Sequence, residues 1–278
     1  MNSENLAQLL PVVGILVTSG LFAGFLAGLL GIGGGIIFVP VLYFVFTGIF
    51  HMAPDSAIML ATGTSLGCMI PTSLTSCLSH YRNRNMDTSL IRRWAPVLIA
   101  GVLAGSLFSR MFGGLWLSAL FGVILLLSSL NSIFRAKSPP LLPAFPSMPW
   151  QMLMAAFVSF FSVMLGIGGG TLSVPLLTMC AMPTRLAIGT ASAIGLFIAV
   201  PGAVSMFCFG GTLTDPNVPF GTYGKVCLTA VICIVPFSMA MAVAGAAVNR
   251  RLNQALLKRL FCVLLIITGL KMLYNAVL

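Results

Sequence analysis

The residues of this chain best suited to chemistry offer main chain rather than side chain. Positions 31–42 read GIGGGIIFVPVL and positions 166–177 read GIGGGTLSVPLL, the same residue at eight of twelve places. Consecutive glycines cost a helix about 1 kcal/mol each, and in hydrocarbon every freed backbone N–H or C=O costs several more. A break of this kind needs an occupant or water to satisfy it. A short helix begins directly after each knot, at Ile36 and at Thr171, so its first N–H groups and the positive end of its dipole face the gap. With no side chains in the way, Gly33, Gly34, Gly35, Gly168, Gly169 and Gly170 let a small anion approach the backbone itself. The knots do not fit nucleotide-binding patterns. A P-loop needs Gly-Lys-Ser/Thr after its glycines, and the dinucleotide pattern needs a preceding strand and a glycine where Ile36 or Thr171 stands. Glycines can also serve only close helix packing. Against that, each knot is doubled, is followed five residues later by Pro40 or Pro175, and opens a helix too short to span.

Hydroxyls come next. Thr62, Thr64, Ser65, Thr72, Ser73, Thr75 and Ser76 crowd one apolar segment, and Thr190 and Ser192 lie in its counterpart. Membrane-helix hydroxyls commonly bond to their own backbone or to a neighbouring helix. Thr64, Ser65, Thr190 and Ser192 stand out because they belong to a repeated Gly-Thr motif at Gly63 and Gly189, and they are expected to help line the site. The acids are Glu4, Asp55, Asp87 and Asp215, all in loops or at segment ends, so none is placed as a mid-membrane proton carrier. His51 and His80 read as interface residues before relays, and Arg185 reads equally as a topology anchor or an anion lure. No catalytic cluster or metal-ligand pattern is present, so neither an enzyme nor a cofactor is expected. The seven cysteines form no C-x-x-C pair and read as small apolar filler.

The elements that must position these groups are membrane helices. Of 278 residues, 59% are hydrophobic and only 6% charged, with a mean hydropathy of +1.09. Such a chain cannot cover a soluble surface. Apolar segments of helix length run at 9–30, 36–50, 56–79, 94–110 and 115–134, then at 150–165, 171–181, 187–209, 226–248 and 260–276. Trp94, Trp116 and Trp150 each open a segment and suit an aromatic belt. Five prolines between 138 and 149 mark a linker, giving a first repeat over 1–137 and a second over 150–278. Blocks recur in order: LATGTSL at 60–66 with LAIGTAS at 186–192, LAGSLFSR at 103–110 with VAGAAVNR at 243–250, and LFGVILL at 120–126 with LFCVLLI at 260–266.

Charge decides between two topologies. If each knot is the tip of a hairpin returning to its own side, each half has five segments and the second half is inverted. Eleven basic residues then lie on one side and three, Arg110, Lys225 and Lys271, on the other; a knot that only interrupts one crossing gives 8 to 6. The positive-inside rule favours the hairpin, with both termini outside and loops 80–93 and 249–259 in the cytoplasm. At 1.5 Å per residue the segments 171–181 and 36–50 reach about 16 and 22 Å, short of a ~30 Å core. The expected fold is therefore an all-α polytopic membrane protein of two inverted five-segment repeats, each with a glycine-broken hairpin.

Both glycine stretches, with GTS at 63–65, HYRNRNMD at 80–87 and AIGTAS at 187–192, resemble the sulfite exporter TauE/SafE family of bacterial membrane transporters over nearly the whole chain. The second motif departs from the commoner Gly-Thr-Ser in reading Gly189-Thr190-Ala191-Ser192. The resemblance implies a transporter of small sulfur-containing anions such as sulfite, sulfonates or related organic acids, in the cytoplasmic membrane. Its partners would be that anion, the lipid bilayer and a coupling ion, proton or sodium; no nucleic acid is expected, and the oligomeric state is open. The rival readings are an anion channel on the same scaffold and a carrier of a non-sulfur carboxylate.

Overall fold

Long apolar runs punctuated by glycine and proline give ten helices among the described residues. The computed structural model describes residues 3–109, 111, 114–134, 145–211, 213–249 and 254–277. The first half contributes α1 (Ser3–Leu30), α2 (Gly35–Gly48), α3 (Pro54–Arg82), α4 (Thr88–Phe108) and α5 (Gly114–Phe134). The second contributes α6 (Met148–Leu165), α7 (Gly170–Met179), α8 (Thr184–Phe209), α9 (Leu228–Val248) and α10 (Gln254–Val277). Between α8 and α9 lies a small hairpin, β1 (Thr222–Tyr223) antiparallel to β2 (Val226–Cys227). Arg110, Arg135, Lys137, Arg250, Arg251 and the linker prolines Pro139, Pro140 and Pro143 lie outside the described residues, as do the side chains of Glu4, Lys258 and Arg259.

Six of the described helices are long and apolar enough to cross a membrane: residues 11–30 of α1, then α3, α4, α6, α8 and α9. The chain is a multi-pass membrane protein. The two helices that follow the knots, 14 residues in α2 and 10 in α7, rise only about 21 and 15 Å.

Helix starts follow local chemistry. Pro54 opens α3 and Pro149 sits in the first turn of α6, where a missing N–H costs nothing. Asp87 caps α4, its Oδ1 accepting from the Ser89 and Leu90 N–H groups, each at 3.0 Å. Asp87→Ala is expected to cost about 0.5–2 kcal/mol, whereas Asp87→Asn keeps an acceptor; thermal unfolding in detergent would separate them.

The halves interlock. α1 packs on α9, α4 on α6, α5 on α10 and α3 on α8, every one a contact between halves. Exchanging the halves turns the α1–α9 contact into α6–α4, α3–α9 into α8–α4 and α2–α3 into α7–α8. Gly20, Gly24 and Gly28 form a small-residue stripe that lets α1 lie against the main chain of Ile234, Ser238 and Ala242 on α9. On α4, Gly101 leaves room for the Ser159 side chain and Gly105 for the Phe160 main chain of α6.

One expected belt residue is internal. Trp94 is fully buried, because it lies on the α4 stripe of Leu90, Ile91, Leu98, Val102 and Gly105 that faces the bundle. Trp116 and Trp150 are 65% and 60% exposed, as a belt requires.

Candidate functional site: two glycine knots in contact

The knots meet. A Cβ at Gly33 would stand 3.4 Å from the Gly168 Cα, one at Gly35 would stand 2.5 Å from the Gly166 carbonyl oxygen, and one at Gly170 would overlap the Gly31 carbonyl oxygen. Contacts Gly35–Gly166 and Gly170–Gly31 are the same contact seen from opposite halves. Positive φ angles recur in step, at Gly31 (67°) and Gly166 (64°), and at Gly34 (85°) and Gly169 (66°). This is backbone that a side chain rarely tolerates. Gly34 and Gly169 are the N-caps of α2 and α7 and offer no side-chain cap. Their absent side chains face away from the contact, Gly34 towards Phe38 and Gly169 towards Ile194 and Ile198. Ile36 and Thr171, the residues after each knot, are buried.

The interrupted α1 needs partners for its last carbonyls, since a helix end leaves them unpaired. Ser76 Oγ donates to the Ala27 carbonyl at 3.3 Å, His80 Nε2 lies 3.0 Å from the Gly28 carbonyl, and the Asn249 amide donates to the Leu29 carbonyl. On the other side, Ser65 Oγ donates to the Gly166 carbonyl at 2.8 Å. His80 thus anchors a helix end from within the bundle.

Of the four hydroxyls singled out in the Gly-Thr motifs, Ser65 alone contacts a knot through the bond just given. Thr64 Oγ1 accepts from the Cys227 N–H at 2.9 Å, and Thr190 Oγ1 accepts from the Asp87 N–H at 3.0 Å. Ser192 Oγ donates back to the Gly189 carbonyl at 2.7 Å, within its own helix. The glycines beside them are close-approach points: Gly63 abuts the Lys225 carbonyl and Gly189 the Asn85 carbonyl. Each motif, near the start of α3 or α8, therefore clasps the loop that follows the other helix. The two helices run antiparallel.

Three further residues belong to the contact between the knots. Met69 Sδ lies within 2.8–3.4 Å of where Cβ atoms would stand at Gly33, Gly35 and Gly168. Gly195, whose Cβ would stand 2.5 Å from the Gly168 carbonyl oxygen, leaves room opposite. Between them is Ser73 Oγ, 3.0 Å from the Gly33 Cβ position and 3.5 Å from that of Gly195. It is fully buried and has no hydrogen-bond partner, as is true of the Ser162 and Ser173 hydroxyls in the second half. A buried orphan hydroxyl is costly. The run Thr72-Ser73-Thr75-Ser76 was the sequence signal for it, but nothing in that run separates Ser73 from neighbours that bond to their own helix, such as Thr75 to Thr72.

Among the described residues, no cluster of His, Cys, Asp or Glu could hold a metal ion. Asp215 is occupied at the protein periphery, accepting from the Ala53 and Asn217 N–H groups.

Interlocked spans, two broken helices and a main-chain meeting point define a polytopic membrane protein. Residues 16–272 match the model of the sulfite exporter TauE/SafE family, and the chain belongs to that family. It is 28% identical to a probable membrane transporter protein of Haemophilus influenzae, over 91% of this chain and 95% of that one. It is 27% identical to the probable membrane transporter protein YunE of Bacillus subtilis, over 95% and 98% of the two chains. A probable membrane transporter protein of Methanocaldococcus jannaschii is 25% identical over 96% and 97%. No solved structure matches.

Proposed function

We propose that this transporter carries small sulfur-containing anions, sulfite or sulfonates, by alternating access around the two knots. The observation that carries the reading is the meeting of Gly33 with Gly168 beside the unpartnered Ser73 hydroxyl. Two uncapped helix N-termini there supply N–H donors and positive dipole ends. Gly33, Gly34, Gly35, Ile36, Gly168 and Thr171 would give main-chain donors, with Ser65 and Ser73 giving hydroxyls, while Gly169 and Gly170, whose N–H groups donate to the Ile167 and Gly168 carbonyls, would shape the second knot. Thr64, Thr190 and Ser192 would act from behind, through the loops and helix they brace. The exchange-related packing supports two inverted repeats, 1–137 and 150–278. In such repeats, rocking one bundle against the other exposes a central site to alternate faces.

A thermal-shift screen of the purified protein with sulfite, sulfate, thiosulfate, methanesulfonate and acetate tests the substrate class. A ligand at 100 times its Kd adds about 2.7 kcal/mol to native-state stability. Sulfite or methanesulfonate should raise the apparent Tm; a response to acetate alone would replace the sulfur anion with a carboxylate. Single-channel currents in planar bilayers would replace the carrier with a channel.

A further inference from the structure

The two clasps share a main chain but not their side chains. In each, the gripped loop also bonds back to the helix before it. The Asn85 N–H donates to the His80 carbonyl at 3.1 Å, and the N–H of Lys225, itself buried at the β1–β2 turn, donates to the Met206 carbonyl at 3.0 Å. Gly189 abuts the Asn85 carbonyl as Gly63 abuts that of Lys225. Exchange of the halves therefore makes His80 equivalent to Met206. A buried thioether serves in the second half, so the clasp itself does not call for an imidazole.

The two ring nitrogens of His80 say what the imidazole adds. Nε2 lies 3.0 Å from the Gly28 carbonyl, which can only accept, so Nε2 carries the proton of the neutral ring. Nδ1 is then a bare lone pair, buried with no donor to meet it, and an unpaired buried acceptor is costly. His80 also shares a face of α3 with Ser76 and Ser73, four and seven residues earlier. Ser76 Oγ donates to the Ala27 carbonyl, and Ser73 Oγ faces the gap between Gly33 and Gly195. A polar stripe about 10 Å long thus joins the knots to the ring. Of the elements around His80, the end of α1 brings no titratable group, and α3 brings Cys77 and the exposed Arg82. The loop after α3 brings the exposed Arg84 and Asp87, whose Oδ1 is committed to the start of α4. Arg185 of α8 is exposed, and α9 ends on Asn249, bonded to the Leu29 carbonyl; Arg250 and Arg251 lie outside the described residues.

We infer that His80 Nδ1 is the proton-binding site of this carrier, and that a proton taken up there crosses together with the anion. On one face Nδ1 takes a proton from water and the ring becomes a cation. On the other the proton returns to water as the anion leaves, passing along Ser76 and Ser73 with water between them when the bundle opens. The arrangement described here is the neutral one, since the clasp at Asn85 closes over the ring and leaves a second N–H nothing to bond. A cation about 10 Å from the anion, at an effective dielectric of about 20, raises anion affinity about tenfold. By linkage the anion raises proton affinity by the same factor. A monovalent anion and one proton carry no net charge together, so transport follows the pH gradient. Met206 leaves the other half without a titrating group, so the coupling is built into one half only. This inference rests on the anion-carrier reading above.

Methanesulfonate uptake into proteoliposomes of the full chain under an imposed pH gradient tests it. A sulfonate stays ionised throughout the working pH range, so it cannot carry the proton itself. The wild type should accumulate methanesulfonate on the alkaline side, approaching about tenfold per unit of pH gradient. His80→Gln keeps an amide N–H for the Gly28 carbonyl but has no titrating nitrogen; it should equilibrate methanesulfonate without accumulating it. Accumulation by His80→Gln would overturn the inference and leave the carrier reading standing. So would a wild type that exchanges methanesulfonate without answering the gradient. A second measurement leaves His80 untouched. His51→Asn makes His80 the one histidine in the chain, and asparagine tolerates the φ of 54° at position 51. In nitrogen-15 spectra of its labelled imidazole, the pH at which the bare nitrogen signal disappears should move up by about one unit with methanesulfonate bound. A midpoint that methanesulfonate does not move would overturn the inference. A wild-type protein that exchanges no methanesulfonate would overturn the sulfonate-carrier reading and this inference with it.

Discussion

Gly170→Ala is expected to reduce anion exchange by at least tenfold and to lower the apparent Tm, with the protein still inserted in the membrane. The added methyl would overlap the Gly31 carbonyl oxygen and stand 2.5 Å from the Ile32 Cα. Both are main-chain atoms, which cannot rotate away as a side chain would. Relief must come from moving the hairpin of α1 and α2 away from that of α6 and α7, at a cost of about 1–3 kcal/mol. Against this, alanine gains about 0.5–1 kcal/mol over glycine in a helix, so the contact outweighs the propensity. The controls are Gly14→Ala and Gly48→Ala, where an added Cβ meets nothing within 4 Å; both should be neutral or slightly stabilising. Unchanged exchange and Tm in Gly170→Ala would mean that the knots do not meet as described.

The second large effect has opposite signs in stability and function. Ser73→Ala removes a fully buried hydroxyl that has no partner, relieving a desolvation penalty of about 1–3 kcal/mol. The apparent Tm of the ligand-free protein should rise by several degrees. The Tm response to methanesulfonate should disappear, because the hydroxyl faces the gap between Gly33 and Gly195. Ser65→Ala should instead lower the ligand-free Tm, since it strips a donor from the Gly166 carbonyl at a cost of about 0.5–1.5 kcal/mol. A higher Tm with an undiminished methanesulfonate response would remove Ser73 from the site and leave it a packing defect. A trade of this kind, stability given up where a ligand must bind, is common at functional positions.

Helix positions were readable from hydrophobic run length and from glycine and proline punctuation, because both are local properties of the chain. The doubled knots were readable for the same reason, and the structure has a broken helix at each. The partners of Thr64 and Thr190 were not. Their bonds to Cys227 and Asp87 join residues 163 and 103 positions apart, and the Gly-Thr motif alone says only that something comes close. Trp94 looked interfacial by its place at the head of an apolar segment, but α4 begins six residues earlier, at Thr88, and turns that ring inward. The β1–β2 hairpin escaped notice because two-residue strands show no alternation. Lys225 went with it: as one of three basic residues on the sparse side it counted only towards topology, and its burial depends on the hairpin that carries it.

The paired clasps bear on how such a molecule could arise. In each, a glycine-threonine step of one half grips the loop of the other, and the grip is returned. That reciprocity is the mark of an isologous interface, in which the same patch serves on both partners. Two copies of a five-helix ancestor, lying head to foot, would make these contacts without any tether. Joining them in one polypeptide removes the demand that the copies stay identical. A lysine can then occupy one clasp and an asparagine the other, and a symmetric pair becomes a molecule with two distinguishable ends.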